Sequence, residues 1–179
     1  MRRVKKIIFK ISIIALLLFI FYYFGGWYFS KNQCIQETLQ GYYITNHKKI
    51  MELEGENYTA ILYADTNSPK ISIVGIKKFG ILYHQGSSAP RRTIDQTRPF
   101  YPYGSYNSDI GFAVFIYRND PSIERIEISM NNGNLYVLDE WNNDFVGLYL
   151  SPDDITENFP QGTYRAYDNA NQVIYERKY

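Results

Sequence analysis

Residues 125–138 read RIEISMNNGNLYVL, and this stretch decides the fold class. Ile126, Ile128 and Met130 fall on one side of an alternation whose other side is Arg125, Glu127 and Ser129, the period of a half-buried strand. Asn131-Asn132-Gly133 follows, and asparagine and glycine tolerate the positive φ of a tight turn. Leu135 and Val137, then Glu140 and Trp141, make the return strand. Working outward, Asn142-Asn143-Asp144 is a second turn and Phe145–Leu150 (FVGLYL) a further strand. Upstream, Tyr58–Ala64 (YTAILYA) and Lys70–Lys78 (KISIVGIKK) flank the turn-rich DTNSP and read as a hairpin. Gly80–His84 and Ile110–Arg118 (IGFAVFIYR) add strand signals, and Tyr164–Asp168 with Val173–Arg177 form a terminal hairpin around Asn169-Ala170-Asn171. Seven or eight short strands with polar turns predict a mainly β domain, an antiparallel β-sandwich or open barrel with one or two short helices.

The helical signals are few. Cys34, Ile35, Leu39 and Tyr43 recur at roughly helical spacing, with Gly41 interrupting. His47–Leu53 reads as a further turn of helix, although Glu52, Glu54 and Glu56 alternate as the solvated face of an edge strand would. Ser151-Pro152-Asp153-Asp154 has a capping hydroxyl, a proline at the first helical position and acids near the positive dipole end, which together start a helix.

Composition supports a β domain. Of 179 residues 17% are aromatic, with 18 Tyr and 11 Phe, and such rings suit a pleated surface. Five of the 19 basic residues stand in the first ten positions, and from residue 30 onward 14 bases face 18 acids, a net of −4. That balance argues against nucleic acid as a partner.

Residues 11–29, ISIIALLLFIFYYFGGWYF, carry no charge. As one helix they would extend about 28 Å, close to a bilayer's hydrocarbon thickness. Tyr22, Tyr23, Trp27 and Tyr28 would then lie at the membrane interface, and the preceding bases would hold the N-terminus in the cytoplasm. The apolar run exceeds a signal-peptide core and lacks a small-residue cleavage site, which gives an uncleaved, single-pass signal anchor. The organisation expected is a basic cytoplasmic tail (1–10), a transmembrane helix (11–29), a juxtamembrane segment (30–56) and an extracytoplasmic β domain (57–179). The expected location is the cell membrane with the C-terminal domain extracellular. Cys34, with no second cysteine to pair with, is a spare juxtamembrane thiol open to palmitoylation or intermolecular pairing.

The run Asp120-Pro121-Ser122-Ile123-Glu124-Arg125-Ile126-Glu127-Ile128 with its Asn-Gly turn, and the ending Tyr164-Arg165-Ala166-Tyr167-Asp168 with Val173-Ile174-Tyr175-Glu176, resemble small single-pass membrane proteins of the Gram-positive Firmicutes. The resemblance spans about the last sixty residues and the general layout. It implies an N-terminal anchor and a compact β-rich extracytoplasmic domain, and it carries no catalytic residue.

Catalytic and metal signals are sparse. His47, His84 and Cys34 lack the close ligand pairs of a zinc site, and no nucleophile elbow, phosphate loop or zincin motif occurs. Asp153 and Asp154 would bind a cation or act as an acid–base pair, yet a first helical turn explains them equally well. No cofactor is expected. The stretch 86–109 stands out, because connections this long in compact domains are often functional. It sets Arg91, Arg92 and Arg98 among Tyr101, Tyr103 and Tyr106, a mixture suited to recognition: guanidinium groups pair with phosphates or carboxylates, and rings pack on sugars or a partner. The function expected is a membrane-anchored extracytoplasmic binding or interaction module, its partners the lipid bilayer and another membrane or cell-wall component. The alternatives are a small cell-envelope hydrolase or transferase, and an accessory subunit of a membrane transport or secretion complex.

Overall fold

The computed structural model describes residues 2–107, 111–152 and 162–179; the side chains of 2–5, 21–24 and 107 are outside that description. The described residues are mainly strand, in three antiparallel sheets. The first sheet has the order β1-β5-β4-β3-β2, with β6 also on β4, from Trp27–Tyr28 (β1), His47–Glu54 (β2), Tyr58–Asp65 (β3), Lys70–Phe79 (β4), Leu82–Gln85 (β5) and Ala89–Thr93 (β6). The middle sheet, β11-β8-β7, uses Phe100–Asn107 (β7), Gly111–Arg118 (β8) and Phe145–Leu150 (β11). The outer sheet, β10-β9-β12-β13, uses Arg125–Met130 (β9), Leu135–Leu138 (β10), Gly162–Tyr167 (β12) and Val173–Lys178 (β13).

Burial along each strand fixes its layer. In β9 and β12 buried residues alternate with partly exposed ones, so the outer sheet covers a core on one face only. In β4 and β8 six consecutive residues are buried, which needs cover on both faces. On β8, Phe112, Val114 and Ile116 face the outer sheet's Ile126, Ile128 and Tyr164, whereas Ala113 and Phe115 face Ala60, Leu62 and Ile73 of the first sheet. On β4, Ile71 and Ile73 turn toward the middle sheet, and Val74 and Ile76 turn the other way, against α2 (Lys31–Gly41) through Cys34, Ile35 and Leu39. The stack is therefore α2, first sheet, middle sheet, outer sheet. The expected mainly β, antiparallel sandwich is thus found, built of three stacked sheets.

The transmembrane anchor is corrected as well. Among the described residues no helix is long and apolar enough to cross a membrane. Helix α1 spans Arg2–Phe24, and its uncharged portion from Ile11 extends about 21 Å, short of the ~30 Å hydrocarbon core. Gly26 adopts φ +64°, and Trp27 and Tyr28 pair with His84 and Tyr83 as β1. Two of the aromatic residues assigned to the membrane interface are thus sheet residues; the side chains of Tyr22 and Tyr23 are outside the description. The single-pass, signal-anchor and cell-membrane assignments, which rested on residues 11–29 forming one helix, fall with it. The apolar side chains described on α1, from Ile7 to Ile20, are largely exposed.

Two local expectations also change. His47–Leu53 is strand β2 rather than helix, at the edge of the first sheet as the Glu52/Glu54 alternation suggested. The helix started by Ser151-Pro152-Asp153-Asp154 falls on 153–161, outside the described residues.

Helix α2 is fastened by charge as well as by packing. The Lys31 ammonium bonds Glu52 at 2.6 Å and Glu54 at 2.9 Å, and Lys49 holds the second Glu52 oxygen. Burial would raise the Glu52 carboxyl, but its bonds to Lys31 and Lys49 outweigh that and hold its pKa below the ordinary value. Burial would likewise lower Lys31, and its two carboxylate partners outweigh it and raise the pKa. A depressed carboxyl stabilises the fold above its unfolded pKa, and the gain vanishes as pH falls through the folded one. A raised ammonium stabilises below its unfolded pKa, and the gain vanishes as pH rises through the folded one. Stability is expected to be flat between about pH 5 and 10 as far as this clamp is concerned, with limbs beyond. In urea titrations Glu52→Gln should remove about 1 kcal/mol at neutral pH and shrink the acid limb; an unchanged acid limb would show that the clamp contributes nothing.

Candidate functional site

The Arg/Tyr stretch does not form one loop. Residues 86–109 contain β6, most of β7 and a turn between them, and the two-residue period of β7 disperses the tyrosines. Tyr103 points toward the first sheet, buried, its hydroxyl donating to the Ala89 carbonyl, and burial pushes its pKa well up. Tyr101 packs in the same layer, while Tyr106 faces the outer-sheet core. Arg91, at φ +45°, donates its backbone N–H to Ser72 and its guanidinium to the Tyr43 carbonyl. Arg98 closes a 2.6 Å ion pair with Asp95, and Arg92 is exposed on β6. The structure brings Arg92 near Tyr103 and leaves the six residues divided between faces.

The single thiol and the histidines have structural places. Cys34 is fully buried on α2, and burial pushes its thiol up to about 11. It is therefore not free to pair. Ellman's reagent is expected to leave Cys34 unmodified in the native protein and to label it fully in denaturant; fast labelling of the native state would contradict its burial. His47 packs edge-on against Tyr63, and His84 lies 4.9 Å from Trp27 with Nδ1 at 2.6 Å from the Gln85 carbonyl oxygen. Among the described residues no three His, Cys, Asp or Glu side chains are grouped to hold a metal.

Recognition chemistry gathers instead at the end of the first sheet, where the β2–β3 turn meets the end of β4. A cleft of about 590 Å³ opens there, lined by Glu56, Asn57, Tyr58, Lys77, Lys78, Phe79 and Tyr149. A neighbouring hollow of about 270 Å³ shares Glu56, Tyr58 and Lys78 and adds Lys31 and Tyr83. Local geometry explains how these residues meet. Gly55 follows β2 and donates its N–H to the Tyr58 carbonyl across the turn at 2.7 Å, and any Cβ at Gly55 would lie 2.3 Å from the Tyr149 ring. The missing side chain thus lets Tyr149 lie over the turn, with its ring centroid 6.0 Å from that of Tyr58. Lys77 and Lys78 are consecutive on the strand; Lys77 lines the larger cleft, and Lys78 lines both hollows. Among the described residues neither ammonium has an ion-pair partner. Phe79 is exposed at the rim.

The Tyr58 hydroxyl donates to the Ser87 carbonyl at 3.0 Å, and burial pushes its pKa up to about 12. It remains a phenol at neutral pH, engaged within the core, and not a base. The cleft thus offers two cations, aromatic faces, and the amide and carboxylate of Asn57 and Glu56.

Sequence reasoning missed this cleft. Its weak signal was the lysine pair closing an apolar strand, and nothing in the order of residues placed Tyr149 beside Tyr58. Compared with protein families, curated proteins and solved structures, the chain matches none.

Proposed function

We propose that the protein is a binding module whose ligand is an acidic saccharide, held in the cleft between the β2–β3 turn and the end of β4. The observation that carries this reading is the pair of ammonium groups on Lys77 and Lys78, unpaired among the described residues, beside the Tyr58, Phe79 and Tyr149 rings. Sugar rings present apolar C–H faces that pack on aromatic side chains, and their hydroxyls suit Asn57 and Glu56. Carboxylate or phosphate groups on the sugar would take the lysines through charge-assisted hydrogen bonds. The cleft volume lies within the range usual for small-ligand sites.

Calorimetric titration of the whole chain with a hexameric uronic-acid oligosaccharide, and with its uncharged methyl ester, tests the reading. The acid form should bind, the ester should bind at least about tenfold more weakly, and Lys77→Glu with Lys78→Glu should abolish the difference. Equal binding of both forms, or full binding by the double variant, would remove the cleft from consideration.

A further inference from the structure

A second surface lies on the flank where all three sheets end. Among the described residues strand β2 pairs only with β3, β11 only with β8 and β10 only with β9, so each layer ends in an edge strand on this side. Between them runs a groove of about 340 Å³, with Met51, Leu53, Leu138 and Val146 as its apolar floor and Asp139 and Glu140 at its mouth.

Among the described residues no strand pairs with the outer edge of β10. Met130 donates to the Asn134 carbonyl at 2.8 Å, so Asn134, and with it Tyr136 and Leu138, direct their peptide groups toward β9. Leu135 and Val137 therefore direct their N–H and C=O groups away from the sheet. Native edges are commonly guarded by charges, proline or bulges. The opposite edge, β13, carries Glu176, Arg177 and Lys178 and pairs with β12 through a register shift. Strand β10 is LYVL, with no charge and a regular register. Its outward side chains Leu135 and Val137 are 56% and 50% exposed. Immediately after it, Asp139 and Glu140 are exposed and have no ion-pair partner among the described residues.

We propose that the β10 edge receives an extended segment of a partner polypeptide as a fifth strand of the outer sheet. Backbone hydrogen bonds to Val137 supply the pairing, and alternate apolar side chains of the segment enter the groove. A lysine or arginine of the segment meets Asp139 and Glu140. The occupant is identified by its chemistry: extended, apolar at alternate positions, basic at an end. This site is separate from the saccharide cleft and does not depend on it.

The test uses the full chain and fluorescein-labelled heptapeptides of alternating valine and threonine with lysine at both ends, together with a pool in which leucine, isoleucine or phenylalanine replaces valine. Fluorescence anisotropy should show saturable binding. Val137→Pro deletes the outward N–H without touching the β9 ladder, and should weaken binding about tenfold while leaving the melting temperature nearly unchanged. If that variant is poorly folded, Val137→Lys keeps the N–H and adds a guarding charge against the basic peptide, and should weaken binding comparably. Asp139→Lys with Glu140→Lys should weaken binding most at low salt. The proposal is overturned if neither the peptide nor the pool binds, or if the folded Val137 variants bind like the native chain. It is also overturned if sedimentation shows a Val137-dependent dimer, which would make the occupant a second copy.

Discussion

Replacing Gly75 with alanine is expected to cost about 3–5 kcal/mol and to leave little folded protein at 37 °C. A Cβ at this position would stand 1.9 Å from the Ser87 carbonyl oxygen and 2.3 Å from the Tyr58 hydroxyl. Neither neighbour can retreat freely. The Ser87 carbonyl accepts the Tyr58 hydroxyl, its side chain donates to the Tyr106 carbonyl at 2.7 Å, and Ser105 donates to it at 2.8 Å. Gly75 itself donates to the Ser88 hydroxyl at 3.1 Å and accepts from Gly86 at 2.7 Å. Here β4 passes from β5, paired at Ile76–Phe79, to β6, paired at Lys70–Ile73, and these serine bonds bridge the gap. Relief of the clash breaks several of these bonds, and a loss of this size consumes much of an ordinary domain's 5–15 kcal/mol. Urea titration is the measurement, with Gly41→Ala as control, since a Cβ at Gly41 would meet nothing within 4 Å. A Gly75→Ala midpoint equal to that of the native chain would show that the Ser87 segment is not held as described.

Phe115→Ala is expected to cost a further 3–5 kcal/mol when tested alone, the range for emptying a buried aromatic site. Phe115 is fully buried on β8 in the layer shared with the first sheet, and its strand neighbours Val114 and Ile116 fill the layer on the other side. The cavity therefore lies between two sheets that cannot close without moving a third. Val137→Ala, on the exposed face of β10, should change stability by no more than about 0.5 kcal/mol. Comparable losses in the two variants would place Phe115 outside the core.

The two-residue alternation of Arg125–Met130 announced its strand because one face of the outer sheet meets solvent and the other does not. Strand β8 was equally visible as a strand, but its unbroken apolar run says only that both faces are covered, without saying by what. That is why a third sheet was not foreseen. Strands β6 and β7 were hidden by Pro90, Pro102 and Gly104, which read as loop residues although an edge strand accommodates them. Hydropathy likewise ran α1 and β1 together, since Gly25-Gly26 interrupts a helix without adding charge. On β2 the alternate glutamates were the better guide than the helical spacing of His47–Leu53. As for the site, composition pointed to Arg and Tyr as recognition chemistry, but the pleat of β7 sends Tyr103 and Tyr106 to different layers. The cleft that does form depends on the contact of Tyr149 with Gly55, residues far apart in sequence whose meeting follows from sheet stacking alone.

The chain order of the middle sheet has a consequence for synthesis. Strand β8 has only β7 beside it when it leaves the ribosome, because β9 and β10 are made before β11 arrives. Its second apolar face is fully covered only when β12 joins β9 to complete the sheet above it. For that interval the nascent chain carries a strand meant for burial on both sides with one side incompletely covered and one edge unpaired, the state in which strands most readily find the wrong neighbour. The β9–β10 hairpin, closed by its own Asn-Gly turn, forms from local contacts during the wait and gives β8 its first cover.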